Sequence, residues 1–169
     1  LDALRESEER YRLIVELSPD AILIMTDDSI VFANSAAKRL FRESGSLRLI
    51  GRTMIDLAPP EQREGIADCM KILNRSGGFT HTEEMALRLD GSLFEVSVRR
   101  VQLIYDGRPS VQMIARDISG RKILERQLAY QATHDNLTGT VNRTKFLEQL
   151  SDAISYSERY GFPVWVAFM

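Results

Sequence analysis

Few side chains in this sequence are of types that do chemistry, and their surroundings decide what each can be. Cys69, the only cysteine, could be a redox or flavin-adduct thiol. It stands beside Met70 on an apolar stripe at helical spacing, however, where a small buried hydrophobe is expected. His81 lies between Thr80 and Thr82 on a β-rich segment and reads as an edge or partly buried histidine before a haem or metal ligand. His134 follows a helix and precedes Asp135, so it could accept a phosphoryl group, but Gly139, five residues on, belongs to a turn. Asp27 and Asp28 are turn residues before they are a metal site, and the glycine pairs match no phosphate-binding loop. Arg100 interrupts an otherwise apolar row. It is either a surface or salt-bridged arginine, or a cation that meets an anionic ligand. No catalytic residues and no metal site are expected.

The elements that position these groups must come from one compact domain plus a modest extension, since the chain has 169 residues against roughly 150 for a typical domain. A chain of this size can bury about 70% of its unfolded surface, so a core needs no disulfide framework. With 44% hydrophobic and 27% charged residues the composition is that of an ordinary globular protein. The 22 basic and 24 acidic residues leave a net charge of -2, which lacks the footprint of a nucleic-acid binder. No apolar run approaches a membrane span of ~20 residues, and residues 1–18 are too charged for a signal peptide. A cytoplasmic setting, with no membrane contact from this segment, is expected from these features and the single cysteine.

Residues 1–18 read as an N-terminal amphipathic helix with a narrow stripe at Leu4, Tyr11 and Ile14, closed by Ser18-Pro19-Asp20. Ala21–Met25 and Ile30–Ala33 are two short strands about a turn, and Asn34 caps a helix over Ser35–Phe41. A longer helix starts at Pro59-Pro60, buries Ile66, Cys69, Met70 and Leu73, and ends at Gly77-Gly78. Three strands follow, Phe79–Leu89, Leu93–Tyr105 and Arg108–Ile118, joined by Asp90-Gly91 and Asp106-Gly107, dipeptides that supply the positive φ of hairpin turns. The prediction is an α+β fold: a five-stranded antiparallel sheet with helices on one face, flanked by N-terminal and C-terminal coiled-coil-like helices. The helix over 119–133 carries Leu124 and Leu128 as a seam that, with the N-terminal stripe, implies a homodimer. Residues 143–160 form a last helix, and Phe162–Met169 reads as a strand buried on both faces. Because nothing follows to cover that strand, the chain is expected to be cut inside a further domain.

A small molecule, if one binds, would sit between the long helix and the sheet. Strand alternation puts Val96, Val98 and Arg100 on one face of the fourth strand, and Val111 and Met113 on one face of the fifth. With Met70 these are the candidate pocket residues.

The order of elements, with Ala33-Asn34 after the second strand, the Asp90-Gly91 hairpin and the Arg116–Lys122 close, resembles the PAS sensor family over roughly residues 8–125. Asp117-Ile118-Ser119 is similar to that family's Asp-Ile-Thr exit motif. Asp117 or Ser119 can accept hydrogen bonds from free amides at a helix start, and Arg121 lies within reach of Asp117. These groups can tie the sheet to the exit helix, and the resemblance implies that Asp117, Ile118, Ser119 and Arg121 form a signal-transfer joint. Light-sensing relatives carry Asn-Cys-Arg-Phe-Leu about their cysteine, which Cys69 lacks. Haem-binding relatives often ligate from the long helix, and residues 60–76 hold no histidine. Covalent flavin and haem are disfavoured, and the cofactor, if any, is unspecified.

His134-Asp135-Asn136-Leu137-Thr138-Gly139 with Asn142-Arg143 resembles the opening of a GGDEF diguanylate cyclase domain, H-D-x-L-T-G-L-P-N-R. Thr140 and Val141 depart from Leu-Pro, which suggests a looser turn. The resemblance implies that Asp135 and Arg143 brace the entrance to that domain, with Leu137, Thr138 and Asn142 in its opening motif. The family's Mg²⁺ and guanine ligands would come after Met169, so this fragment is expected to be silent, with Mg²⁺ needed only by the full-length cyclase. The organisation expected is thus 1–18 helix, 19–118 PAS domain, 119–133 linker helix and 134–169 GGDEF fragment. Its function would be a sensory and dimerisation module regulating a diguanylate cyclase. The alternative is a ligand-free PAS scaffold in a protein with a degenerate GGDEF domain and phosphodiesterase output.

Overall fold

A computed structural model describes residues 2–76 and 78–166, without the side chains of residues 2–5, 7, 8, 11, 72 and 74–76. Gly77, one of the two expected helix terminators, lies outside the described residues. The elements run α1 (Asp2–Glu16), β1 (Ala21–Thr26), β2 (Ser29–Ala33), α2 (Ser35–Leu40), two 3-10 turns (Ile55–Leu57 and Pro60–Gln62), α3 (Arg63–Ser76), β3 (Phe79–Leu87), β4 (Leu93–Tyr105), β5 (Arg108–Asp117), α4 (Ser119–Thr133) and α5 (Arg143–Tyr160). The five strands form one sheet in the order β2-β1-β5-β4-β3, antiparallel at every pairing. The chain divides into two compact units, residues 1–120 and 121–169.

Turn chemistry sets the strand ends. Asp27 and Asp28 both have positive φ, 49° and 63°, and join β1 to β2 through a two-residue loop, the geometry that matches strand twist. Asp106-Gly107 does the same between β4 and β5. Asp90-Gly91 differs from expectation: only Gly91 has positive φ, and the loop spans the residues between the Leu87 and Leu93 pair. Asp90 instead binds the loop with its carboxylate, accepting from the Ser92 hydroxyl at 2.6 Å and from Arg42 at 2.6 Å. These two donors hold its carboxyl well below the usual range.

The core lies between one sheet face and the helices. Leu23, Met25, Phe94, Val96, Val98, Val111, Met113 and Ala115 point into it from the strands, and Ala37, Phe41, Leu49, Ile66 and Leu73 from the covering elements. Alanines 36 and 37 keep α2 thin where it packs on β1. Phe41 meets Phe94 edge to face at 5.6 Å. Leu23 and Leu73 are at most 1% exposed, and each such side chain contributes about 1.5–3 kcal/mol. On α3 the face is as expected in Ile66 and Leu73, while Cys69 and Met70 are only half-buried. At the other end, α5 stops at Gly161 with φ 76°, but residues 162–166 form no strand. A strand exists only through a paired neighbour, and among the described residues this segment has none. Residues 167–169 lie outside the described residues.

Candidate functional site

Where β5 passes into α4, three separate parts of the domain converge. Ile118 is buried, its N–H donating to Glu95 O at 2.9 Å, and the Ser119 hydroxyl accepts from Glu95 N at 3.1 Å. The start of α4 is thereby fastened to β4. Asp117 closes the joint: Oδ1 accepts from Ser119 N at 2.8 Å, and Oδ2 accepts from Arg88 Nη2 at 2.7 Å. Burial pushes the Asp117 carboxyl up, but the Ser119 amide and hydroxyl and the Arg88 guanidinium together hold it below its ordinary value. Arg88 thus supplies a cation to Asp117, and Arg121 pairs along its own helix with Glu125 at 2.7 Å. The β3–β4 loop brings Arg88 across to the joint. Arg88 also lies over the Phe94 ring, 4.0 Å from its centroid, and donates to Leu40 O at the end of α2. One side chain therefore links α2, the core and the exit strand.

A second set of contacts ties α1 to the same sheet. Asn34 is fully buried; its Oδ1 accepts from Ala37 N at 2.9 Å and Ile22 N at 3.0 Å, and its Nδ2 donates to Val15 O at 2.9 Å and Asp20 O at 3.0 Å. The Asp20 carboxylate in turn takes both Arg116 Nε, at 2.9 Å, and Arg116 Nη2, at 2.8 Å. The Arg116 hydrogen bond holds the Asp20 carboxyl below its usual range. The end of α1 and the last residues of β5 are thus anchored side by side.

Two clefts open beside α3. One of 320 Å³ is lined by Met25, Thr53, Met54, Ile66 and Met70 among others, and one of 270 Å³ by Met25, Met70, Gln102, Ser110 and Val111 among others. Of the sequence-derived pocket residues, Met70 and Val111 line them. Val96, Val98 and Met113 are packed in the core instead, because β4 and β5 there lie directly beneath the helices. Arg100 is no surface residue. It is 1% exposed and paired with Glu84. His81 is exposed on the edge strand, its Nε2 2.9 Å from Ser97 Oγ, and no cluster of three metal-ligating side chains occurs among the described residues.

The opening motif forms a closed turn between α4 and α5. Asp135 Oδ1 accepts from Leu137 N, Thr138 N and Thr138 Oγ1 at 3.1, 2.9 and 2.9 Å, which keeps its carboxyl low. Asp135 N donates to Thr140 O at 2.8 Å, and His134 pairs with Val141. Thr140 and Val141 are thus both held by backbone contacts within the turn. Asn142 caps α5 through Lys145 N at 2.9 Å and donates to Ala132 O at 2.8 Å. Asp135, Thr138 and Asn142 are brought together, whereas Leu137 and Arg143 are exposed. His134 stacks on Tyr130, ring centroids 4.0 Å apart. Of the seam residues, Ile14, Leu124 and Leu128 are 61%, 61% and 66% exposed; the side chains of Leu4 and Tyr11 lie outside the described residues. No helix among the described residues is long and apolar enough to cross a membrane.

Among curated proteins, the chain is similar to sporulation kinase A of Bacillus subtilis, 25% identical over 93% of this chain and 28% of the kinase. It is also similar to the cyclic di-GMP phosphodiesterase PdeB of Shewanella oneidensis, 22% identical over 92% of this chain and 18% of that protein. The chain thus spans less than a third of the length of either relative. Among solved structures, a PAS domain from Colwellia psychrerythraea aligns with a TM-score of 0.60 at 20% identity, over 68% of this chain and 99% of that one. The PAS domain of an HTR-like protein from Haloarcula marismortui gives 0.58 at 24% identity, over 69% and 96%. These likenesses agree with the five-stranded antiparallel sheet and its helical cover. The family model described as PAS fold matches residues 9–118, the span from α1 to the Asp117-Ile118 joint, and the chain belongs to the PAS family.

Proposed function

We propose that this chain is the sensory and dimerisation module of a cyclic di-GMP signalling protein, and that it regulates a diguanylate cyclase domain of which α5 is the first helix. The observation that carries this reading is the continuous run from the clamped Asp117–Ser119 joint through α4 into the Asp135–Asn142 turn. Such a run can pass a displacement of the sheet domain to whatever follows. Ile123, Leu124 and Leu128 are all more than half exposed on α4, which buries none of its residues. A second copy of the same helix would cover this seam. A ligand in the clefts beside α3 acts by binding one arrangement of the paired exit helices more tightly than another. Setting the two cyclase domains face to face then turns synthesis on. GTP as substrate fits a cytoplasmic location for this segment.

The PdeB relative supports a second reading, in which the PAS domain serves as a scaffold and the output is cyclic di-GMP hydrolysis beside a degenerate GGDEF domain. The full-length protein separates the two when incubated with GTP and Mg²⁺, and in parallel with cyclic di-GMP. Formation of cyclic di-GMP supports the first reading and hydrolysis alone the second. Neither activity refutes both.

A further inference from the structure

We infer that the inward faces of β3 and β4 carry a polar subsite for a small uncharged ligand, which presents an oxygen to Arg100 Nε and Thr80 Oγ1. This rests on the sensory reading above and specifies its ligand.

Arg100 is 1% exposed. Its Nη1 donates to Thr82 Oγ1 at 3.0 Å, its Nη2 donates to Glu84 Oε1, and Thr82 Oγ1 donates to Glu84 Oε2 at 2.8 Å. That triangle leaves Arg100 Nε buried without a partner, and Thr80 Oγ1 is buried and unpartnered as well. Sheet register sets Thr80 directly opposite Arg100, so the two orphaned groups are cross-strand neighbours on one face. Buried polar groups are rarely left unpaired, because desolvation is not repaid. An N–H donor beside a hydroxyl is a fitting receptor for an alcohol, carbonyl or amide oxygen. The next inward residue of β4, Gln102, pairs with Val111, and both line the 270 Å³ cleft with Met25 and Met70. The apolar part of a guest would lie there.

Charge selects the class. The guanidinium is already matched by the Glu84 carboxylate. A ligand carboxylate would add a third, uncompensated charge to a buried site, and the cost of burying it opposes binding. Glu84 therefore acts as the specificity determinant, rejecting anions that Arg100 alone would attract.

Acetamide and acetate have nearly the same shape and differ in charge, so they serve as probes. The ¹⁵N-labelled 169-residue chain is titrated with each, following the Arg100 Nε–H resonance assigned through bonds in the unmodified protein. Acetamide is expected to shift that resonance and to bind about 10-fold or more tighter than acetate. Thr80→Val should weaken acetamide by about 10-fold, and the isosteric Glu84→Gln should reverse the preference toward acetate. Acetate binding as tightly as acetamide, or an unaltered preference in Glu84→Gln, overturns the inference. So does a resonance that ignores both probes, which would mean that water alone fills the site. Those failures leave the sensory reading intact. If acetamide binds as described but cyclic di-GMP turnover of the full-length protein ignores it, the sensory reading falls and the subsite stands.

Discussion

Replacing Asp117 by alanine removes two interactions at once, and the structure gives the size of each. Loss of the Ser119 N–H acceptor is loss of a helix-start cap, about 0.5–2 kcal/mol. The Arg88 partner is 13% exposed and Asp117 35%, so the ion pair lies between exposed pairs, worth up to about 1 kcal/mol, and buried ones, whose breaking costs about 3–5 kcal/mol. A total near 2–3 kcal/mol follows for Asp117→Ala. Asp117→Asn keeps an oxygen for Ser119 and should cost about half as much. A double-mutant cycle with Arg88→Met should return a coupling of about 1 kcal/mol. The pH dependence has a definite sign. Because the folded carboxyl titrates below its ordinary value of 3.8, its stabilisation is complete above that value and is lost as pH falls through the lower folded one. Urea melts of wild type and Asp117→Ala should therefore differ at pH 7 and converge in strong acid. A cost below about 0.5 kcal/mol, the range of ordinary surface changes, or a difference that persists unchanged into acid, would show that this carboxylate does not hold the joint.

Asn34→Ala should cost about 3–5 kcal/mol, since it removes the side-chain acceptor of two buried amides and the donor to two carbonyls; a thermal melt lowered by only a few degrees would contradict this. Leu124→Asp with Leu128→Asp should convert a dimer to a monomer in light scattering, and a dimer that survives both would move the contact off α4. The 169-residue chain, given GTP and Mg²⁺, should form no cyclic di-GMP, and turnover that survives purification controls would show that its active groups lie within this sequence.

How much of this was readable in advance depended on distance along the chain. The β4 limits, the Asn34 cap and the α5 limits follow from local chemistry, and alternation with hairpin turns was enough for the five-stranded antiparallel sheet. Contacts set by pairing were not readable. Arg88 stands 29 residues from Asp117, too far along the chain for a local pattern to pair them. Thr80, Thr82 and Glu84 look in isolation like the solvent side of a strand. Only the register with β4 turns them inward against Arg100. The Phe162–Val166 run fails for the opposite reason: its apolar side chains read as a strand, but hydrophobicity does not make one without a neighbour to bond.

The central claim is that the domain passes its state through the Asp117–Ser119 joint to a cyclic di-GMP output. Its most direct test is the turnover of cyclic di-GMP by the full-length protein, measured in both directions for wild type, Asp117→Ala and Arg88→Met, with each variant first shown to be folded and dimeric. The account predicts turnover in the wild type and a rate altered by about 10-fold when the joint is cut, equivalent to about 1.4 kcal/mol of coupling. Folded, dimeric variants that turn over cyclic di-GMP at the wild-type rate would contradict it.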